Sequence, residues 1–270
     1  MAWRWEAWSF VAAAILAVAV GTFARGFVGQ EWFFTTDNLA HSLPLAPPFL
    51  VAAGVVVGVD RWSPGRSWLL AGAWLLALHG ALQVILEVQF ASIINSAGDV
   101  AAAKPWILAR GVLSGASHAL GFGALAAGMW RSRIGEWRGI RRVTAIGLAA
   151  VTGLMAVGPL STSIMGPAAA LAPLDALGFG LTGLGVLAAG ALAIAGLLAA
   201  PKRAPIPELL IAAGAAIYVV GPGLAWWAFA IVPPDAISLL VLTNVGVATA
   251  ALLAIAIGFG SGAYFGSAED

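Results

Sequence analysis

Stretches of about 20 apolar residues, the length needed to span a hydrocarbon core of about 30 Å, recur along nearly the whole chain. A backbone in lipid must satisfy its own N–H and C=O groups, so such stretches fold as helices unless they close into a barrel. Their continuous apolar character, rather than a two-residue alternation, selects helices. Only 9% of the 270 residues are charged and 61% are hydrophobic, against about 25% charged in ordinary soluble domains. These values predict a single all-α integral membrane domain over 1–270 and leave no room for a sizeable soluble domain.

Apolar length and breaker residues predict an eight-transmembrane-helix bundle over 8–28, 47–59, 68–94, 106–130, 140–160, 176–200, 207–230 and 236–259. The first segment reads as a retained spanning helix rather than a signal peptide, because it lacks a clean small-x-small cleavage site. The second is short and must recruit residues from His41 to Ala46, tilt, or enter the membrane without crossing. Charge supports this count independently. Arg4, Arg61, Arg66, Arg131, Arg133, Arg138, Arg141, Arg142, Lys202 and Arg203 fall on one side of an eight-span bundle. Glu31, Asp37, Asp99, Asp175 and Asp235 fall on the other, with Lys104 as its main cation. The positive-inside rule then puts both termini in the cytoplasm of a multi-pass cell-membrane protein. Tryptophans near predicted ends, including Trp5, Trp8, Trp62, Trp68 and Trp130, read as interface anchors.

Residues 140–200 and 207–260 carry faint internal likeness. Gly158-Pro159 parallels Gly221-Pro222, and Thr182-Gly183-Leu184-Gly185-Val186 parallels Thr243-Asn244-Val245-Gly246-Val247. This suggests parallel repeated hairpins, with coincidence an equal alternative in such low-complexity sequence. Asp175 and Asp235 read as helix caps.

Within this apolar background His79 and His118 stand near the middle of consecutive segments. Glu87 and Arg110 lie eight residues outward from them, about 12 Å along a helix and roughly 80° around it. Gln83 and Ser114 occupy the midpoints. The spacing predicts two layers, His79 facing His118 and Glu87 facing Arg110. An ion in hydrocarbon is expensive unless paired, so the second layer reads as an interhelical clamp or as a group tuning a neighbouring site.

Two buried imidazoles support several chemistries. They can satisfy each other's surroundings by hydrogen bonding, ligate a metal or haem b, or carry protons. The leading expectation is a membrane redox or haem-binding subunit, with His79 and His118 as axial ligands and Gln83, Glu87, Arg110 and Ser114 around them. Electrons would then pass to a quinone or a membrane redox protein. The alternative is a transporter or channel for a small polar solute or protons, with a cavity near Pro222, Thr243 and Asn244, where Gly221-Pro222-Gly223 interrupts a helix. A non-catalytic assembly subunit is the third class.

A competing polar cluster joins Arg25, Gln30, Glu31, Asp37, Asn38 and Asn95 with Glu87 and Arg110 on the outer side, as a site for a polar headgroup or a substrate entering from outside or simply as a face toward water, and His41 suggests a surface site with Glu31 or Asp37. The chain has no cysteine, which excludes disulfides and thiolate metal centres. No nucleotide, metalloprotease or nucleophile-elbow motif is present. No basic patch points to nucleic acid. Absence of a lysine in the last two segments excludes a retinal Schiff base there.

Overall fold

The structure, a computed structural model, describes residues 5–29, 35–97, 100–132, 139–165, 173–201, 205–228, 233 and 236–264. Helices lie over each apolar segment: α1 (Trp5–Gly29), α2 (Thr36–Ser42), α3 (Pro47–Gly58), α4 (Arg66–Ala97), α5 (Val100–Ser132), α6 (Ile140–Met165), α7 (Pro173–Ala199), α8 (Ile206–Ala228) and α9 (Ile237–Ser261). The described residues contain no strand. By length and composition, six described helical stretches can cross a membrane: Trp5–Phe27, Asn38–Ile93, Gly111–Ser132, Ile140–Ile164, Ala176–Ala199 and Thr243–Ser261. The second of these contains α3 and most of α4. This is the architecture of a helical membrane protein.

A short helical run precedes α3. Thr35 Oγ1 accepts from the Asn38 amide at 3.1 Å and caps α2. A 3-10 turn at Leu43–Leu45 then leads to α3 with Pro47 and Pro48 at its start, where a missing N–H carries no penalty. A second 3-10 stretch, Val59–Gly65, kinks at Trp62 and turns the chain into α4.

Contacts fix the helix directions. Phe10 meets Trp74 and Arg25 meets Glu87, so α1 and α4 are parallel. Gly72 meets Leu125 and His79 meets Ser114, so α4 and α5 are antiparallel. Gly54 faces the Ala256 carbonyl and Gly58 that of Phe259, which makes α3 and α9 parallel. The α6–α7 pair is antiparallel, shown by Gly183 against Leu160 and Gly190 against Thr152, as is the α8–α9 pair, by Gly221 against Val247 and Gly214 against Ile255. The long helices therefore alternate, and α1 begins at the end of the bundle where α9 finishes.

Glycine sets the separation of these helices. A Cβ added at Gly72 would lie 2.8 Å from Leu125, and one at Gly121 would lie 2.9 Å from Leu76. Small residues thus let α4 and α5 close on reciprocal leucines, the packing device of membrane bundles. At Gly221-Pro222-Gly223 the backbone stays helical, contrary to the expected interruption. Gly221 admits Val247 of α9 and Gly223 admits Met155 of α6, so these glycines serve helix approach. Pro159 also lies within continuous α6, where the Ser161 and Thr162 hydroxyls both donate to the Gly158 carbonyl.

The end where α1 begins is closely packed. Among the described residues, Trp62, Leu69, Leu125, Met129, Ile211, Ile255 and Phe259 are fully buried there. Trp62 is 1% exposed and lies edge-on to Phe259 with ring centroids 5.2 Å apart. It is a core residue rather than the expected interface anchor, because the kinked turn folds it inward. Trp5, Trp8, Trp68 and Trp130 are exposed near helix ends.

Polar groups seal the same end. Arg61 donates to Glu208 through Nε at 2.8 Å and Nη2 at 3.2 Å. Arg141 donates to the Ala200 carbonyl and, at 3.3 Å, to that of Pro201, capping the end of α7. Arg131 stacks over Trp68 at 5.4 Å.

Candidate functional site

The α4–α5 register brings His79 and His118 face to face, with ring centroids 4.4 Å apart and planes 21° from parallel. His79 Nδ1 lies 3.0 Å from the Ser114 carbonyl, 3.2 Å from Ser114 Oγ and 3.4 Å from Ser117 Oγ. A carbonyl can only accept, which favours the tautomer with hydrogen on Nδ1. Gln83 donates its amide to Ser114 Oγ, so one hydroxyl joins the glutamine and histidine of α4 to α5. His118 Nδ1 is 3.0 Å from the Tyr218 hydroxyl of α8. The ring is further held between Phe122 and Tyr218, with centroids at 4.5 and 5.1 Å.

Two turns beyond His79, Glu87 is buried and paired with Arg25 of α1, Oε1 to Nη2 2.9 Å. The Arg110 side chain lies outside the described residues, and with it the expected Glu87–Arg110 layer. Glu31 and Asn95 fall there as well, together with the Asp37 and Pro222 side chains and the capping roles expected of Asp175 and Asp235. Thr243 is exposed and donates to Leu239 within its own helix at 2.8 Å. Asn244 keeps a buried Oδ1 without a hydrogen-bond partner.

These side chains border a cavity of about 700 Å³. One wall carries Arg25, Glu87, His79, Gln83, Ser114, His118 and Tyr218, while the facing wall is largely apolar, with Pro44, Leu45, Pro48, Val245, Ala248 and Leu252. The α9 contribution thus comes from residues 245–252 rather than from Thr243 and Asn244. His41 and Ala40 are exposed and also line it, so the cavity reaches the surface beside α2. A second cavity of about 460 Å³ extends toward α7, and Gln83, Ser114, His118 and Tyr218 border both.

No protein-family model, curated protein or solved structure matches this chain. Function must therefore be argued from the site itself.

Axial histidines approach a haem iron edge-on from opposite faces, with the macrocycle between them. Rings stacked face to face at 4.4 Å leave no space for an intervening plane. Among the described residues no cluster of three or more His, Asp or Glu side chains has metal-binding geometry, and two imidazoles alone fall short of a structural zinc site. Among the glycines of α4 and α5 near the two rings, Gly80 and Gly121 abut Phe49 and Leu76, and Gly115 abuts Leu181; Gly111 and Gly123 have open surroundings.

One residue central to this site carries little sequence signal: Tyr218 is one of only two tyrosines in the chain. Arg25 belongs with Glu87 to the outer polar cluster read from the sequence, and the structure pairs the two across 62 positions.

Proposed function

We propose that this chain is a multi-pass transport protein that binds a small polar solute from one side of the membrane. In this reading the bundle crosses eight times, with α2, the following turn and α3 making one crossing, and the arginine-rich end lies in the cytoplasm. The observation that carries the proposal is a polar cavity that stops against packed apolar residues. Its polar side chains lie between mid-depth and the end opposite the start of α1, and below them Trp62, Phe259 and their apolar neighbours fill the bundle. A polar, water-accessible recess that stops halfway is the arrangement alternating access requires.

Exposing ionisable groups to a cavity also resolves their energetic problem. Arg25 and Glu87 would be costly facing lipid, but are tolerated beside one another and beside water. The Tyr218–His118 and His79–Ser114–Gln83 bonds supply donors and acceptors at the floor of the recess, where a solute can replace water contacts.

The absence of cysteine makes the test direct. Ala248→Cys, on the cavity wall, is expected to react with a membrane-impermeant thiol reagent added outside, and Ala215→Cys, at 0% exposure in the packed half, is expected to resist it. Solute-dependent uptake by proteoliposomes then establishes transport. Equal labelling of both positions, or no flux of any solute class, overturns the proposal.

A membrane redox subunit carrying haem b, with a quinone or redox-protein partner, is the second reading. It draws on the hydrogen bonds at both Nδ1 atoms, since such bonds orient metal-bound histidines. It requires the rings to part. A stoichiometric b-type spectrum lost in His79→Ala and His118→Ala supports it, and clean haem-free protein rejects it.

A further inference from the structure

Six of the helices close a ring. α4 packs on α5, α5 on α7, α7 on α8, α8 on α9, α9 on α3 and α3 on α4. α1 lies outside it against α3 and α4, and α6 lies outside it against α7 and α8. Ring helices α3, α4, α5, α8 and α9 line the larger cavity, and α4, α5, α7 and α8 line the smaller one. The two cavities therefore share one lumen, with Gln83, Ser114, His118 and Tyr218 between them. In the ring α7 stands between α5 and α8, so the His118–Tyr218 hydrogen bond bridges two helices that are not ring neighbours.

This pair holds one more polar hydrogen than it uses. As neutral groups the phenol and the imidazole carry one each, and Tyr218 Oη and His118 Nδ1, 3.0 Å apart, make a single hydrogen bond. His118 Nε2 is buried without a partner. If the phenol donates to Nδ1, the spare hydrogen is on Nε2. If Nδ1 donates to the phenol, the spare hydrogen is on Oη, and Nε2 is left as an unpaired acceptor besides. The first arrangement strands one group and the second strands two, which favours the first. Both leave a donor with nothing to receive it, a state that buried groups rarely keep without a ligand or a water. What completes the pair is a hydrogen-bond acceptor.

Charge and shape narrow the class. Gln83, Ser114 and Phe122, which border the pair or pack on its rings, carry no charge. Glu87 and its partner Arg25 stand two turns away along the lumen. An ion brought to the pair would meet no fixed counter-charge at its side, which opposes entry at this depth. An uncharged carbonyl oxygen accepts the hydrogen without that cost. The opposite wall, with Leu45, Pro48, Val245, Ala248 and Leu252, suits an apolar body.

We infer that the His118–Tyr218 pair binds an uncharged solute through a carbonyl oxygen, as in a ketone or an amide, with the apolar part of the solute against α3 and α9. This rests on the transport reading and names its substrate class.

Four probes built on five-membered rings separate the chemistries: cyclopentanone accepts a hydrogen bond, pyrrole only donates one, cyclopentanecarboxylate is an anion and cyclopentane is none of these. NMR of carbonyl-labelled cyclopentanone with the full chain in lipid nanodiscs, empty nanodiscs subtracted, should show saturable binding and a downfield carbonyl shift. Cyclopentanone should bind about three- to tenfold more tightly than each of the other three, the ratio that one hydrogen bond supplies. Tyr218→Phe leaves the imidazole its hydrogen and should keep the shifted carbonyl. His118→Leu/Tyr218→Phe removes both hydrogens and should lose the shift and the preference over cyclopentane, while keeping a cooperative unfolding transition. No saturable ketone binding to the wild type, pyrrole or carboxylate bound as tightly, or a shift that persists in the double variant each overturns the inference. The wild-type series decides it without either variant.

Proteoliposome uptake separates this from the transport reading. Ketone binding without flux of any solute leaves the carbonyl site standing and removes transport. Flux of a charged solute without ketone binding does the opposite.

Discussion

Arg61 and Glu208 form a two-pronged ion pair in which each side chain is only 2% exposed. It ties the kinked turn between α3 and α4 to the first turn of α8, at the packed end of the bundle. A carboxylate in a first helical turn also faces the unpaired amides and the positive end of the helix dipole.

Removing Glu208 takes from the buried Arg61 guanidinium the carboxylate it binds through two nitrogens. Glu208→Ala should therefore destabilise the protein by about 3–5 kcal/mol. Thermal unfolding in detergent measures this. The double variant Arg61→Met/Glu208→Met should recover most of the loss, because paired apolar replacements remove the stranded charge. A double variant no better than Glu208→Ala would show that the pair does more than neutralise itself.

The glycines separate into two classes with opposite expected responses. Gly54 faces the Ala256 backbone carbonyl, whereas nothing lies within 4 Å of a Cβ built at Gly123. Backbone cannot rotate away as a side chain can, so Gly54→Ala should force α3 from α9 and cost about 1–3 kcal/mol. Gly123→Ala should be neutral or stabilise by about 0.5–1 kcal/mol through helix propensity. Comparing the two unfolding midpoints tests the assignment, and a larger loss at Gly123 would refute it.

These contacts mark where sequence reading succeeds and where it stops. Apolar length locates the helices because the bilayer constrains each one locally. Counting from helix ends also places His79 and His118 at one depth, and a short connection makes their helices neighbours. Which helices pack beyond those adjacent in sequence is set by three-dimensional contacts that hydropathy does not encode. Arg25 with Glu87, Tyr218 with His118 and Arg61 with Glu208 all join distant segments. Arg61 reads as a loop charge under the positive-inside rule, yet the turn carrying it folds into the core. The interruption expected at Gly221-Pro222-Gly223 failed for a related reason: glycine can break a helix or let a neighbour approach, and only the neighbour decides.

Tyr218 offers both a hydroxyl to His118 and a ring to the cluster with Phe122, centroids 5.0 Å apart. Tyr218→Phe keeps the ring and should cost about 1–2 kcal/mol for the lost hydrogen bond. Tyr218→Leu also loses the aromatic contacts and should cost about 0.5–1.5 kcal/mol more. Equal losses from both, measured by denaturation, would place the whole contribution in the hydroxyl.

Ser114 is the point at which the polar contacts of α4 and α5 converge: its hydroxyl accepts from Gln83 and lies 3.2 Å from His79 Nδ1. Ser114→Ala removes one partner of the half-buried Gln83 amide, although His79 retains the Ser114 main-chain carbonyl at 3.0 Å. A loss of about 0.5–1.5 kcal/mol is expected for the lost hydrogen bond. Gln83→Leu removes the other half of the same contact. If the two side chains act through one bond, their losses will not add, and the double variant should be more stable than the sum by at least about 0.5 kcal/mol. Strict additivity in a double-mutant cycle would mean that each side chain is supported separately, and that the floor of the cavity is not one connected unit.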